Sequence, residues 1–475
     1  MLAVSLSVLA WCAGRLAVVD SSLGYDEAVY AIGGQSLVTG AGGADYPVYR
    51  PIGMRLLAAP GALLGGDETA FRLFSVGYSL LCLALFWRLG RQVAGAAAAT
   101  LAMATLATSG ELQRRAAELL SDLPALAPVF VLLALLVREL ERDGGPARRL
   151  LAVAPLAALA FYLRYGSTLI LLAVAAAAAA VWWPVLVRRW RMVAATGGLF
   201  ALCMLPHLVH AAVATGSPLG IVRAAHDAAG RRYVGEGLAY LWQYFPDKPA
   251  GPFVALLALI GLCSGLAHLL RLRRERVAEH RVVAFLWLAA VLHTLAIGLD
   301  VHGQARFVFF GTFLLALLGA RAVVVAVRGA TGRAVLDLAL PAALMALFLA
   351  ERAHDDAREH ADRSRRIDAV MRAAADVVRA QGHGSCAVLT TMEPRVAWYS
   401  GCEGWPMPKR NAAAAIARLR ASSTAQRFVV LFAKARREPT GALRAELLEG
   451  LVLPPVAQLA DAAGVLGDAE VYRVR

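Results

Sequence analysis

Two adjacent carboxylates, Asp26 and Glu27, directly follow the first apolar run of the chain, within the sequence Tyr25–Tyr30. An ionised pair costs several kcal/mol when it is drawn into lipid, so these residues mark a surface that faces water. A carboxylate there can act as a general base on a hydroxyl acceptor, or supply part of a metal site. An acidic pair is also stabilised in the first turn of a helix by the helix dipole. The two residues alone leave both interpretations open.

Arginines follow in the same polar stretch and are candidates for binding an anion. Arg50 stands between Tyr49 and Pro51, and its guanidinium offers a planar fork of N–H donors that suits a phosphate. Arg55 and Arg72 come soon after and can do the same work. The alternative is that these arginines rest against lipid headgroups. The stretch therefore combines a candidate base with candidate phosphate ligands.

Two further polar clusters interrupt the apolar sequence that follows. Glu111–Arg115 leads to Asp122, a second candidate for catalysis or metal binding that is also well placed to cap a helix. His302 and Arg306 open a late apolar segment. A cation at a helix start opposes the helix dipole, so Arg306 predicts an anionic partner or ligand. Arg115, His302 and Arg306 join the candidate substrate ligands.

The composition predicts that these clusters belong to an integral membrane protein. The chain has 475 residues, of which 59% are hydrophobic and 17% charged. In soluble proteins about a quarter of the residues are charged. The net charge of +14 comes from arginines that separate the apolar runs. Charge in this arrangement sets membrane topology and meets anionic lipid, and does not indicate a nucleic-acid partner.

Apolar segments of membrane-spanning length, each needing about 20 residues, predict about eleven transmembrane helices. The first loop, 20–68, adds two short amphipathic helices at 27–38 and 53–64. The apolar segments are 2–19, 69–87, 93–109, 119–137, 150–163, 166–187, 192–214, 251–270, 282–299, 305–327 and 334–350.

The arginine-rich loops predict the orientation of these helices. If the first loop lies outside, alternate connections fall inside, and they are the short loops rich in arginine, as the positive-inside rule requires. These loops are 88–92, 138–149, 188–191, 271–281 and 321–333. The same alternation places all four polar clusters, and everything past 351, outside the membrane.

The C-terminal residues 352–475 have the pattern of a small soluble α/β domain. Helices are expected at 365–381 and 411–421, and buried strands at 386–391, 428–433 and 470–474. Cys386 and Cys402 lie in this domain, and an oxidising location would let them form a disulfide; spacing alone leaves the pairing open. Residues 1–351 then form a transmembrane catalytic domain, with 20–68 as its catalytic loop.

The polar motifs resemble those of the GT-C superfamily of membrane glycosyltransferases. The likeness is greatest to the branch of protein O-mannosyltransferases and of the aminoarabinose transferases that modify lipid A (glycosyltransferase family 39/83-like). It covers about residues 1–350. The matching motifs are Tyr25–Tyr30, Tyr49–Gly53, Phe71–Leu73, Asp122–Pro124 and His302–Phe307.

This resemblance implies an inverting transfer of sugar from a polyprenyl-phosphate donor to a glycan, lipid or protein of the cell envelope. The reaction would take place at the outer face of the cytoplasmic membrane of a bacterium. Asp26 matches the catalytic base, with Glu27 in support, and Arg50 matches the cation that holds the donor phosphate. A divalent cation would be held by Asp26 and Asp122. The aminoarabinose branch usually has glutamate before its cation, and Tyr49 stands there in this chain.

Two other classes of function fit the sequence. A lipid or sugar transporter or flippase also needs many spans, but its apolar runs should carry charges near the midplane or paired broken helices. The polar candidates in those runs, His207, His210 and His293, are better interpreted as satisfied helix residues. A non-catalytic envelope assembly protein would use the C-terminal domain as its partner-binding module.

Overall fold

The structure is a computed structural model, and it contains helices throughout with one sheet near the C-terminus. It describes residues 2–18, 21–40, 46–142, 147–229, 233–245, 251–272, 274–275, 277–331, 336–382, 385–407, 411–435 and 439–474.

The helices account for most of the described residues. They are α1 Leu2–Ala17, α2 Tyr25–Thr39, α3 Ile52–Leu63, α4 Glu68–Ala94, α5 Ala96–Ala107, α6 Gly110–Ala117, α7 Asp122–Leu140, α8 Val153–Leu163, α9 Ser167–Arg188, α10 Trp190–Thr215, α11 Gly220–Ala229, α12 Glu236–Tyr244, α13 Pro252–Leu272, α14 Ala278–Asp300, α15 Phe309–Thr331, α16 Leu336–Gly382, α17 Glu393–Ser400, α18 Ala412–Ala421 and α19 Gly441–Glu449.

Contacts between residues divide the chain into two compact units. The membrane unit comprises Met1–Ala17, Val48–Met54 and Arg72–Ala357. The loop–domain unit comprises Val18–Pro47, Arg55–Phe71 and Arg358–Arg475. Most of the first loop therefore packs with the C-terminal domain, whereas the sequence analysis assigned that loop to the transmembrane domain. The difference arises from contacts that link residues near position 20 to residues near position 400, which sequence proximity does not reveal.

Seven helices in the described part of the chain are long and apolar enough to cross a membrane. Each of the eleven predicted apolar segments coincides with a helix, and α1, α5 and α8 are the short ones among them, with 16, 12 and 11 residues. In lipid the backbone must satisfy its own hydrogen bonds, so apolar runs of this length become helices. The predicted mainly α, multi-pass membrane fold is confirmed. Its orientation in the membrane stays a prediction.

Aromatic rings and glycines pack the membrane unit. Phe86 of α4 lies 5.2 Å from Phe130 of α7 and 5.4 Å from Phe313 of α15, measured between ring centroids. Helices α13 and α15 approach through Gly261 and Gly319, where a Cβ on Gly261 would lie 2.8 Å from the Gly319 nitrogen. Close backbone contact of this kind stabilises helix pairs in lipid, where apolar burial adds little.

The C-terminal sheet has five strands in the order β2-β1-β3-β5-β4. Strand β1 is parallel to β2 and β3, whereas β5 is antiparallel to β3 and β4. The C-terminal part of α16 and α17 pack on one face, and α18 and α19 on the other. The predicted small α/β domain is confirmed. The strands are β1 Cys386–Thr390, β2 Glu403–Pro406, β3 Gln426–Phe432, β4 Leu451–Leu459 and β5 Ala469–Val474.

Two strands of this sheet were not predicted. Strand β4 contains Pro454 and Pro455, and β2 contains Gly404 and Pro406. Proline lacks the N–H that a ladder needs, so it is confined to edge positions. Both strands lie at the edges of the sheet, where the fold tolerates residues that argue against a strand.

The disulfide that the sequence left open is present in the structure. Cys386 at the start of β1 is bonded to Cys402 just before β2, with their Cα atoms 4.8 Å apart. Both cysteines are buried in the core between the sheet, α16 and α17. The disulfide therefore ties α17 to the sheet.

Candidate active site

The two carboxylates of the first loop have different surroundings within the loop–domain unit. Glu27 is 4% exposed, and its Oε2 accepts a hydrogen bond from the Gly24 N–H at 2.8 Å. This bond is half of a capping box and stabilises the start of α2. Asp26 is half-buried in the first turn of the same helix. The structure thus gives Glu27 a contact that defines the helix, and the role of Asp26 as a base stays a prediction.

Arg55 joins α3 to α2 in the same unit. Its Nε donates to the Gly33 carbonyl at 3.3 Å, and its Nη2 donates to the Ser36 hydroxyl at 2.9 Å. Its guanidinium also lies 5.1 Å from the centre of the Tyr46 ring. These contacts hold the two predicted short helices of the loop together. A substrate-binding role for Arg55 stays a prediction.

A buried carboxylate of the membrane unit forms the Asp122 cluster, which consists of Asp122, Arg164 and Arg306. The Asp122 side chain is 3% exposed at the start of α7. Its Oδ1 accepts a hydrogen bond from Nη1 of Arg164, and its Oδ2 lies 3.5 Å from Nη1 of Arg306. Asp122 is therefore the anionic partner that the position of Arg306 predicted. Within this cluster one carboxylate faces two guanidiniums.

A short chain of hydrogen bonds extends this cluster toward His302. The Arg306 Nε donates to Gln304 Oε1 at 2.7 Å, and Gln304 Nε2 lies 2.7 Å from His302 Nε2. The Phe307 ring lies beneath both guanidiniums, 5.0 Å from that of Arg164 and 5.5 Å from that of Arg306. His302 therefore reaches the cluster through Gln304, and the Phe307 ring lies within cation–π distance of both guanidiniums.

The cluster lines a cavity between α7, α9, α14 and α15. Asp122, Arg164 and Arg306 form its polar wall, and apolar side chains that include Phe310 form the rest. His293 of α14 also lines it, is 2% exposed, and has no hydrogen-bond partner for its Nδ1 among the described residues. A buried nitrogen without a hydrogen-bond partner lowers the stability of the fold unless a bound group satisfies it. The cavity therefore has the chemistry of an anion-binding pocket with an apolar lining.

Sequence reasoning did not name Arg164 as a site residue, and it interpreted His293 as a satisfied helix residue, whereas the Nδ1 of His293 lacks a hydrogen-bond partner among the described residues. Arg164 lies in the break between α8 and α9, which the alternation of loops places on the same side as the other clusters. This predicted position was sufficient to identify Arg164 as a candidate site residue. His293 stands inside a long apolar helix, and its position carried no indication that it faces a cavity.

Arg115 belongs to a separate ion network on α6. Its Nε donates to Glu111 Oε1 at 2.8 Å, and its Nη1 donates to Glu118 Oε2 at 2.5 Å. Burial raises the pKa of the Glu118 carboxyl, but the neighbouring charges of Arg115 and Arg114 outweigh it and hold that pKa below its usual value. Arg306 lowers the same pKa further, so α6 is electrostatically linked to the Asp122 cluster.

This network predicts that the chain loses stability in acid. Because the folded pKa of Glu118 is lowered, its contribution is present above the ordinary value of 4.5 and is lost as the pH falls through the folded pKa. Thermal unfolding of the protein in detergent, measured over a pH series, should therefore show a Tm that falls below pH 4.5. Glu118→Gln keeps the shape without the charge and should show a shallower fall. Equal slopes for both proteins would contradict the assignment.

The segment that carries Arg50 packs against the turn that carries Arg164. The Arg50 carbonyl accepts a hydrogen bond from the Tyr165 hydroxyl at 3.3 Å. A Cβ on Gly53 would lie 2.6 Å from the Tyr162 carbonyl oxygen, so only glycine permits this approach. The Arg50 guanidinium lies 5.4 Å from the centre of the Tyr49 ring. The Arg50 backbone thus contacts Tyr165, which follows Arg164 of the Asp122 cluster directly in the sequence.

The remaining predictions concern Arg72 and a metal. Arg72 is buried in α4. No group of three or more His, Cys, Asp or Glu residues in the described ranges is arranged to hold a metal ion. Two guanidiniums already face Asp122, and a divalent cation would have to displace them. The surroundings of Asp122 therefore favour an ion pair over a metal site, and Asp26 as a metal ligand stays a prediction.

Comparison with known proteins identifies the architecture. Residues 49–210 match the model of the family described as dolichyl-phosphate-mannose-protein mannosyltransferase. No curated protein matches the sequence. The crystal structure of ArnT from Cupriavidus metallidurans bound to undecaprenyl phosphate is similar with a TM-score of 0.68 at 13% identity. That alignment covers 98% of this chain and 97% of ArnT.

Archaeal oligosaccharyltransferases are similar over much of the chain. The Archaeoglobus fulgidus enzyme in complex with Zn and sulfate has a TM-score of 0.52 at 13% identity, covering 90% of this chain and 68% of that one. AglB from the same organism, in complex with an inhibitory peptide and a dolichol-phosphate, has a TM-score of 0.52 at 12% identity, covering 90% and 69%. At these identities the likeness concerns the fold. The chain therefore has the fold of ArnT and of these oligosaccharyltransferases, which is the GT-C fold that its ordered motifs predicted.

Proposed function

We propose that this protein is an inverting glycosyltransferase that moves a sugar from a polyprenyl-phosphate carrier to an acceptor of the cell envelope. The reaction is assigned to the outer face of a bacterial cytoplasmic membrane, on the side to which the arginine-rich loops assign the first loop. The observation that carries the proposal is the Asp122 cluster, in which two guanidiniums and one carboxylate line a cavity of the membrane unit. Undecaprenyl phosphate is bound by the similar protein ArnT.

The cluster suits a phosphate whose negative charge increases during the reaction. As the bond between the sugar carbon and the phosphate oxygen breaks, its electron pair moves to the phosphate. Arg164 and Arg306 are held in place by Asp122 and Phe307 before any ligand arrives. Donors fixed in advance stabilise developing charge at little reorganisation cost. The negative charge that develops on the departing carrier phosphate then faces the two guanidiniums.

The acceptor side of the reaction needs a base. We assign that role to Asp26, because it matches the carboxylate of the motif that follows the first span and is half-buried at the start of α2. The acceptor hydroxyl transfers its proton to Asp26 as its oxygen bonds to the sugar carbon, and the carrier phosphate departs. One displacement without a covalent enzyme intermediate inverts the configuration at that carbon.

Mass spectrometry of envelope glycans and lipid carriers in a strain that lacks the gene tests this function. We expect one polyprenyl-phosphate sugar to accumulate while one glycan, lipid or protein loses that sugar. Purified full-length chain in nanodiscs should then transfer the accumulated sugar to the unmodified acceptor. Substrate uptake into vesicles without any glycosyl product would instead indicate a transporter. Unchanged glycans and carriers would contradict the proposal.

A further inference from the structure

Arg372 of α16 contacts both ends of the first loop. Its Nε donates to the Ser22 hydroxyl at 2.8 Å, just after the first span. Its Nη2 lies 3.1 Å from each carboxylate oxygen of Glu68, at the start of the second span. All of these residues belong to the loop–domain unit. A single guanidinium of the C-terminal domain therefore joins the two ends of the loop that carries Asp26.

Tyr399 of α17 completes this contact. Its hydroxyl accepts a hydrogen bond from the Leu23 N–H at 2.7 Å, and Arg372 Nη2 lies 3.3 Å from the same oxygen. The Arg372 guanidinium also lies 4.8 Å from the centre of the Tyr399 ring. Burial and the bonded carboxylate of Glu68 raise the pKa of Tyr399 to about 12. The hydroxyl therefore keeps its proton, donates a hydrogen bond to Glu68 and accepts one from the Leu23 N–H.

These bonds fix the backbone immediately before the candidate base. The Leu23 N–H is bound by Tyr399, and the next N–H along the chain, that of Gly24, is bound by Glu27. Asp26 follows in the first turn of α2, and α2 packs against α17. Two consecutive N–H groups are thus held by side chains, one of which comes from the C-terminal domain.

We infer that Arg372 and Tyr399 are positioning residues, through which the C-terminal domain sets the location of Asp26. The inference rests on the proposed function, since it takes Asp26 as the base of a transfer reaction. A base must lie within hydrogen-bond reach of the proton that it removes. A displacement of about 1 Å caused far from the chemistry can lower a rate by about 10²-fold. Loss of these contacts should therefore reduce turnover while donor binding, assigned to the membrane unit, is retained.

Tyr399→Phe and Arg372→Gln in the full-length protein test this inference. Tyr399→Phe keeps the ring and removes only the hydroxyl. We expect kcat to fall about tenfold or more in each variant, with KM for the lipid-linked donor nearly unchanged. Arg372→Lys, which keeps the charge, should restore part of the activity. Hydrogen exchange of the peptides that cover 22–30 should become faster in Tyr399→Phe.

The sheet of the same domain supplies matched controls. The Tyr472 hydroxyl bonds Glu470 at 2.9 Å, and Arg444 pairs with Glu470 at 2.6 Å. Tyr472→Phe and Arg444→Gln therefore remove the same kinds of contact without touching the first loop, and they should keep the wild-type kcat. If they lower kcat as much as the test variants do, the effect is one of domain stability and the inference is wrong.

Two results separate this inference from the proposed function. Wild-type kcat in Tyr399→Phe and Arg372→Gln, in an active preparation, would overturn the inference alone. A folded wild-type protein that transfers no sugar from the carrier would overturn the proposed function, and the positioning role with it. A raised KM with unchanged kcat would also overturn the inference, because it would place these residues in donor binding.

Discussion

Asp26→Asn is expected to lower kcat for sugar transfer by about 10²- to 10⁴-fold, the range over which a positioned general base contributes. The amide has the size of the carboxylate but cannot take the acceptor proton. Asp26 is half-buried, and the cap of α2 is made by Glu27, so the variant should fold normally. Transfer from the identified lipid-linked donor, together with the Tm in detergent, measures both effects.

Asp67→Asn is the matched control for this variant. Asp67 lies in the same loop, is exposed, and accepts the Ala70 N–H at its Oδ1 at 2.7 Å. Asparagine caps a helix about as well as aspartate, so this change should affect neither stability nor kcat. Full activity of Asp26→Asn would remove Asp26 from the mechanism. A similar loss in Asp67→Asn would show that the loop responds to charge in general.

Replacing either arginine of the Asp122 cluster should have the second largest effect. Arg164→Gln and Arg306→Gln are each expected to lower kcat/KM by about 10²- to 10³-fold, as for loss of one donor to a developing anion. The cavity then loses one of the two guanidiniums that face the departing phosphate. Retention of undecaprenyl phosphate by the purified variants, together with steady-state transfer rates, would measure this loss. Arg223→Gln, in the exposed part of α11, is the control.

A double variant separates phosphate binding from neutralisation of Asp122. Arg164→Gln leaves the buried Asp122 carboxylate with fewer partners, which should lower the Tm. Adding Asp122→Asn removes the unbalanced charge, so Arg164→Gln with Asp122→Asn should regain stability. We expect it to remain deficient in binding undecaprenyl phosphate. If carrier binding returned with the Tm, Arg164 would act only as the counter-ion of Asp122.

The structure changes the interpretation of the C-terminal domain. From the sequence it was a candidate partner-binding module, separate from the catalytic loop. In the loop–domain unit Arg372 and Tyr399 hold Ser22, Leu23 and Glu68, so this domain is joined to the loop that carries the candidate base. Removal of the domain would therefore expose the buried ends of the loop. Activity assays on truncated chains would confuse loss of a partner with loss of this support.

The amino-acid sequence by itself determined the membrane helices and several polar positions. Apolar runs of this length have one stable backbone conformation in lipid, so the eleven predicted segments coincide with helices. Local rules also placed Asp122 at the start of α7 and predicted an anionic partner for Arg306. These are properties of single segments, and residues that are close in the sequence determine them.

Only the tertiary structure decided which segments meet. Asp122 pairs with Arg164 across 42 positions, and the Leu23 N–H binds Tyr399 across 376. His293 lines the cavity where α14 packs against α9 and α15. Such contacts depend on long-range packing, which a pattern of hydropathy along one chain does not encode. For that reason the sequence indicated a base and a cation, whereas the ion pair around Asp122 and the support behind Asp26 emerged only from the fold.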